Sequence, residues 1–250
     1  MNKNKERIAK RLSRAGLCSR REAERWILSG RVSLDGYKVS SPATLVTEKS
    51  DIRVDGKKVK KSPETRVWRY HKPRGLLCTN RDPQGRTTIF ENFPDSLPRV
   101  ISIGRLDYST EGLLLLTNDG ELARKLEHPK NAWVRRYRVR LFGKPTKKEI
   151  SALRSGLAID GTNFGSIEVS IDSVNGANSW LTASLSEGKN RAIRRVFEFL
   201  GHPVSRLIRI AYGPFQLDNL NRGSLEEISK SILVDQLELN TLDANNRRYI

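Results

Sequence analysis

Residues 113–116 are four consecutive leucines, and they constrain the fold more than any other stretch of the chain. A solvated strand alternates apolar and polar residues, and an amphipathic helix spaces its apolar positions three or four apart. The run Leu113–Thr117 does neither. It is short and bounded by Gly112 and Asn118, which fits a strand buried on both faces. Just upstream, GRLDYSTEG sets Arg105 and Asp107 one short loop from that buried strand. An aspartate there has a rigid support behind it and solvent in front, where a nucleophile or base can be held in a cleft. Burial alone would raise its pKa, so it needs a neighbouring cation to stay ionised. The basic stretch 189–195 is a candidate source.

Charge narrows the class of partner. Lys and Arg number 46 against 28 Asp and Glu, for a net charge of +18. Residues 1–60 and residues 124–148 hold almost all of that excess, which suggests two separate contact surfaces for a polyanion. No apolar run reaches membrane-spanning length, and no apolar segment follows the basic N-terminus as a signal peptide would. With Cys18 and Cys78 as the only cysteines, neither a disulfide framework nor a cysteine zinc site is expected. His71, His128 and His202 share no ligand spacing, so no metal is assigned. These features describe a cytoplasmic protein that faces nucleic acid and stays off membranes.

The first sixty residues read as a small module. KERIAKRLSRAG places Ile8, Leu12 and Ala15 at helical spacing, with Gly16 as the stop. SRREAERWILSG opens with Ser19 and Glu22 as a capping box and closes at Gly30. Two Asp-Gly turns, at Asp35 and Asp55, then predict two hairpins. A linker is expected over 61–64. Beyond it, over 65–238, strands alternate with helices joined by short turns, the pattern of an α+β domain with a largely antiparallel sheet. RVWRYHKPRGLLCTN reads as strand, turn, strand. Asn118 or Asp119 is placed to cap the helix GELARKLEH. TKKEISALRSGL and KNRAIRRVFEFLGHPV read as helices, WVRRYRVRLFG as an alternating strand, and GSLEEISKSILVDQLEL as a last helix. Residues 239–250 read as a flexible tail.

RLSRAGLCSRREAERWILSGRVSLDG resembles the S4 RNA-binding domain over 1–60. That resemblance implies docking on structured RNA through phosphate contacts, with Arg7, Arg11, Arg14, Arg20, Arg21 and Arg25 on the helices. GRLDYSTEGLLLLTNDGELARKLEHP resembles the signature of the RsuA/RluB/RluE/RluF family of ribosomal RNA pseudouridine synthases. YHKPRGLLCTNRDPQGR, RRYRV and LSEGKNRAIRRVFEFLGHPVSRLIRIAYGPF match further blocks in the same order, closest to the RluB branch, which acts on 23S rRNA.

The resemblance implies a pseudouridine synthase domain with a mixed, largely antiparallel sheet flanked by helices, acting as a monomer without cofactor or metal. It places the catalytic aspartate at Asp107, an active-site tyrosine at Tyr137 and the cation paired with the aspartate at Arg194. Here Arg191-Ala192-Ile193-Arg194 stands where relatives carry His-Gln-Val-Lys/Arg, so Arg195 competes for that role. It also places at Arg105 the arginine that fills the gap left by an extruded nucleotide. Lys72, Arg74, Lys189, Arg191 and Arg195 are further candidates for RNA contact. Two other readings are weaker. A non-catalytic S4-type RNA-binding or ribosome-assembly protein leaves most of the chain unexplained. An S4-linked RNA methyltransferase needs a glycine-rich nucleotide loop that the sequence lacks.

Overall fold

The computed structural model describes residues 5–237. They form two compact units. One comprises residues 5–66 with Asp95–Ile101 and Asn118–Gly120, and the other comprises Val67–Pro94, Ser102–Thr117 and the described chain from Glu121 onward.

The first unit runs β1 (Glu6–Arg7), α1 (Ile8–Arg14), α2 (Arg20–Leu28), β2 (Val32–Leu34), β3 (Tyr37–Lys38), β4 (Leu45–Val46), β5 (Ile52–Val54) and β6 (Lys57–Lys58). The hairpins β2–β3 and β5–β6 join in one sheet of order β3-β2-β5-β6. Both turns need two successive positive-φ residues, which Asp35-Gly36 and Asp55-Gly56 supply. Ile8, Leu12, Ala23 and Ile27 from the helices meet Val32, Val46 and Ile52 from the strands in one core. Ser19 caps α2 by accepting from the Glu22 amide at 3.1 Å. The reciprocal half of the predicted box is replaced by an ion pair, because the Glu22 carboxylate turns to Arg25.

The rest of the chain supplies β7 (Val67–Lys72), β8 (Ile101–Ile103), β9 (Glu111–Thr117), α3 (Gly120–Glu127), β10 (Arg135–Phe142), α4 (Lys147–Ser155), β11 (Leu157–Ile159), β12 (Thr162–Phe164), β13 (Glu168–Asn175), β14 (Asn178–Leu185), α5 (Ala192–Phe199), β15 (Val204–Tyr212), β16 (Phe215–Gln216) and β17 (Leu225–Ile228). The main sheet has the order β13-β14-β10-β15-β9-β7-β17. Along that path only the β15–β9 pairing is parallel. The α+β class and the largely antiparallel mixed sheet are therefore as expected. α5 packs Ile193, Val196 and Phe197 against Val139, Leu181, Ala183 and Leu207 of the sheet.

The leucine run lies in β9, and every residue of that strand is buried. The strand starts earlier than the run, at Glu111, and Gly112 belongs to the ladder rather than ending it. Gly112 sits at φ +106, and a Cβ there would press into the Arg209 carbonyl and stand 2.7 Å from the Arg209 nitrogen. The close approach of β15 therefore requires glycine.

Two expectations needed correction. The segment LLCTN forms no strand; Leu77 makes a single bridge to Thr88 within a loop. Of the two residues placed to cap α3, Asn118 turns its side chain to the preceding segment, accepting from the Arg66 amide and donating to the Glu64 carbonyl. The segment GSLEEIS is not helical. β17 pairs antiparallel with β7, whose edge would otherwise be open, and helix begins only at residue 230. Residues 239–250 lie outside the described residues.

Gly112→Ala is expected to destabilise the protein by about 3 kcal/mol or more, since backbone must move. Gly104→Ala, at φ +70 with nothing within 4 Å of the added carbon, should cost about 1–2 kcal/mol. Urea unfolding of the two variants checks the difference.

Candidate active site

Asp107 lies in the loop that feeds β9, and that loop is held by its backbone. All five carbonyls from Leu106 to Thr110 accept a hydrogen bond. The Cys78 thiol donates to Leu106 at 3.4 Å and accepts from the Leu106 amide. The Gly75 amide donates to Tyr108 at 2.8 Å, and the Thr110 amide to Asp107 at 3.0 Å. Lys72 Nζ donates to Asp107 at 3.2 Å, to Thr110 at 2.9 Å and to Pro73 at 3.0 Å. Arg194 Nη2 donates to Ser109 at 3.1 Å, and its Nη1 to Val204 at 2.9 Å. The Asp107 side chain is half-buried and makes no hydrogen bond or ion pair among the described residues. The main chain is fixed while the carboxylate stays free.

Lys72, in its turn motif, is expected to meet phosphate from the surface. It is instead fully buried. Burying an ammonium costs several kcal/mol. Hydrogen bonds to a charged group contribute about 1.5–3 kcal/mol each, so three carbonyls offset that cost. Burial pushes the Lys72 pKa down, against the pull of Cys78, Asp107 and Glu111.

The sheet register brings the remaining groups to the same end. Lys72 pairs with Gly112, Gly112 with Arg209, Arg209 with Tyr137 and Tyr137 with Ala183. Paired residues project to one side of a sheet. At about 4.8 Å per strand, Tyr137 stands roughly 10 Å from Gly112. Tyr137 is half-buried and packs against the core that holds α5, so it shares the face from which Arg194 reaches the loop.

Arg194 is buried, and its pKa is pushed down by burial and by Arg191 and Arg74, while Asp107 pulls it up. Its link to the loop runs through the Ser109 carbonyl, and Asp107 is felt as a nearby charge rather than as a direct ion pair. Arg195 is turned elsewhere, over the ring of Phe164 at 5.0 Å, so of the two arginines it is Arg194 that reaches the loop. Arg74, Arg105 and Arg191 are exposed around this end of the loop chemistry. Lys189 is exposed but bound to Glu187 and the Asn163 carbonyl. The three histidines serve separate local contacts.

In the first unit Arg7, Arg20 and Arg21 are exposed, whereas Arg14 pairs with Glu6 and Arg25 with Glu22. Arg11 departs from the expectation of a surface contact: it is buried and donates to Ser62 at 2.6 Å. The apolar face of α1 carries it inward, so it ties the chain together.

Sequence reasoning missed two groups. Arg209 is almost fully buried, donates from Nε to the Leu113 carbonyl at 2.7 Å and lies over the Tyr212 ring. Glu111 is also buried, yet it pairs with Arg206 at 2.7 Å and Arg222 at 3.0 Å. The one available signal was a charge inside an otherwise buried strand. Burial pushes the Glu111 pKa up, but the Arg206 hydrogen bond and the charges of Arg206, Arg222 and Arg74 outweigh it, so the net shift is downward. A carboxyl depressed in the folded state contributes stability above its unfolded pKa and loses it as pH falls through the folded value. Glu111→Gln should therefore cost about 2–3 kcal/mol near pH 7, below the usual figure for a fully buried pair because both arginines are partly solvated. The gap to wild type should narrow as the pH is lowered through the carboxylate range. Urea unfolding at a series of pH values checks this, and a gap independent of pH would rule out the ion pairs as its source.

Known proteins resemble this chain in both sequence and fold. A family model described as RNA pseudouridylate synthase matches residues 66–199, and an S4 domain model matches residues 6–52. A Rickettsia felis protein named as an uncharacterized RNA pseudouridine synthase is 48% identical, over 91% of this chain and 99% of its own. The ribosomal large subunit pseudouridine synthase B of Yersinia pestis is 43% identical, over 89% of this chain and 72% of its own. A solved structure described as a pseudouridylate synthase matches with a TM-score of 0.65 at 25% identity, covering 92% of this chain and 99% of that one. The free carboxylate on a pinned loop thus sits in a chain that belongs to the RNA pseudouridylate synthase family and carries an S4 domain ahead of the synthase fold.

Proposed function

We propose that this chain isomerises one or a few uridines of large-subunit ribosomal RNA to pseudouridine, with Asp107 as the catalytic carboxylate. The observation that carries this reading is the pinned loop: five engaged carbonyls fix the backbone and leave the Asp107 side chain unpaired. The reaction adds and removes no atoms. The C1′–N1 bond breaks, the base turns, C5 bonds to C1′, and the proton lost at C5 is balanced by one gained at N1. An ionised carboxylate beside the ribose can act as nucleophile or as base. Arg194 ties α5 to the Asp107 loop through the Ser109 carbonyl, and Tyr137 offers an aromatic face to the base. Arg105, exposed two residues before Asp107, is suited to replace the extruded nucleotide in the RNA stack. The large-subunit assignment is supported by the likeness to the Yersinia pestis synthase. The non-catalytic reading accounts for the S4 domain alone and leaves the pinned loop without a purpose.

The first unit supplies sequence-independent docking through Arg7, Arg20 and Arg21. We further propose that the enzyme works as a monomer in the cytoplasm. No helix among the described residues is long and apolar enough to cross a membrane.

Unmodified large-subunit rRNA incubated with the protein should gain pseudouridine at discrete positions by chemical mapping. Asp107→Asn should lower the rate by about 10²–10⁴-fold or more, with RNA affinity held within a few-fold. An equal mark from Asp107→Asn would sink the assignment. The pair Arg20→Gln and Arg21→Gln should flatten the salt dependence of RNA binding, by about 0.7–0.9 in the log–log slope for each phosphate no longer neutralised. An unchanged slope would remove α2 from the docking surface.

A further inference from the structure

We propose that the sheet face opposite Tyr137 is a second RNA-docking surface, built by the basic stretch of β10 and reading phosphate rather than base. This rests on the reading that RNA is the substrate.

β10 alternates strictly along its length: Val139 and Leu141 are buried toward α5, while Arg136, Arg138 and Arg140 are exposed on the reverse side. Same-face positions on a strand are about 6.8 Å apart, so the three arginines follow one another along one side of β10. Neighbouring strands extend it. Arg140 is flanked by Trp180 of β14 and by Arg206 of β15. The Trp180 ring is engaged by Arg138 at 5.0 Å and by Arg206 at 5.9 Å. With its ring occupied in this way, Trp180 holds guanidiniums in place rather than offering a platform to a base.

Two members of the patch carry local counter-charges. Asp172 stands 3.7 Å from Arg138, and Glu111 pairs with Arg206. Arg136 and Arg140 have no side-chain hydrogen bond or ion pair among the described residues. Solubility does not require two unpaired arginines on one exposed side of a strand. They stand about 14 Å apart with Arg138 between them, and their freedom suits contact with separate phosphates of an RNA backbone. The row lies on the side of β10 away from Tyr137 and the core under α5. It therefore fits a part of a long RNA away from the reacting uridine. It also gives a role to the positive charge of residues 124–148, which the catalytic loop does not use.

The test uses the full-length double variant Arg136→Gln/Arg140→Gln, whose positions are exposed and whose side chains hold no partner. Binding is measured to a full large-subunit rRNA transcript over a range of KCl concentrations. Turnover is measured on a short stem-loop carrying a uridine that wild type converts. The log–log salt slope should fall by about 1.4–1.8, at 0.7–0.9 per phosphate, with stem-loop turnover unchanged. Arg136→Lys/Arg140→Lys should keep the wild-type slope. An unchanged slope in the glutamine variant overturns the proposal, and so does an equal loss of stem-loop turnover, which would indicate structural damage. A variant that keeps its RNA slope but loses association with ribosomal proteins also overturns it, in favour of a protein partner. Failure of the wild type to convert any uridine would count against the proposed activity and would leave the binding result to be judged by itself.

Discussion

The ammonium of Lys72 is buried and meets no carboxylate among the described residues. It is solvated by the carbonyls of Pro73, Asp107 and Thr110. Arg194 follows the same rule with Ser109 and Val204, and Arg209 with Leu113. Backbone dipoles thus replace water around three buried cations, and no acidic side chain is consumed in doing so. Had a carboxylate been used as counter-charge, Asp107 was the nearest one available in the loop. Solvation by carbonyls leaves it unpaired among the described residues. The same bonds hold the loop, so the placement of the carboxylate and its freedom from partners have one cause.

That arrangement depends on β9. A strand buried on both faces cannot shift without exposing leucines, so it fixes the point where the loop ends. Gly112 lets β15 approach closely enough for Arg209 to come into line with Lys72 and Tyr137. Glu111, one residue earlier, projects to the other side and organises Arg206 and Arg222. Two adjacent residues therefore serve opposite faces of the sheet: one face carries the proposed chemistry, and the other begins the cationic surface of β10. Period-two geometry keeps the two roles apart.

Much of this was legible in the sequence because it is local. The leucine run, the two Asp-Gly turns, the Ser19 cap and the alternation of β10 each follow from a few adjacent residues. Asp107 stood out by its position ahead of a buried strand. What the sequence hid depends on distant partners. Lys72 opens an exposed-looking turn motif, and only the fold shows that it points under the Asp107 loop. Arg11 sits among surface arginines and turns inward to Ser62. Glu111 and Arg209 look like ordinary charges until the parallel pairing of β9 with β15 sets them together. β17 reads as helix by composition, yet the open edge of β7 draws its first residues into a strand. That Arg194 rather than Arg195 reaches the Asp107 loop rests on a contact that no spacing reveals.

The central claim is that buried Lys72 holds the loop that presents Asp107. Amide hydrogen exchange in Lys72→Met tests it most directly, since methionine keeps much of the volume and removes the donor. The Thr110 amide, bonded to the Asp107 carbonyl, should lose protection by about tenfold or more, equivalent to at least ~1.4 kcal/mol of local opening. The leucine amides of β9 should keep theirs. Equal protection of Thr110 in variant and wild type would show that the loop holds without the lysine and would contradict the account.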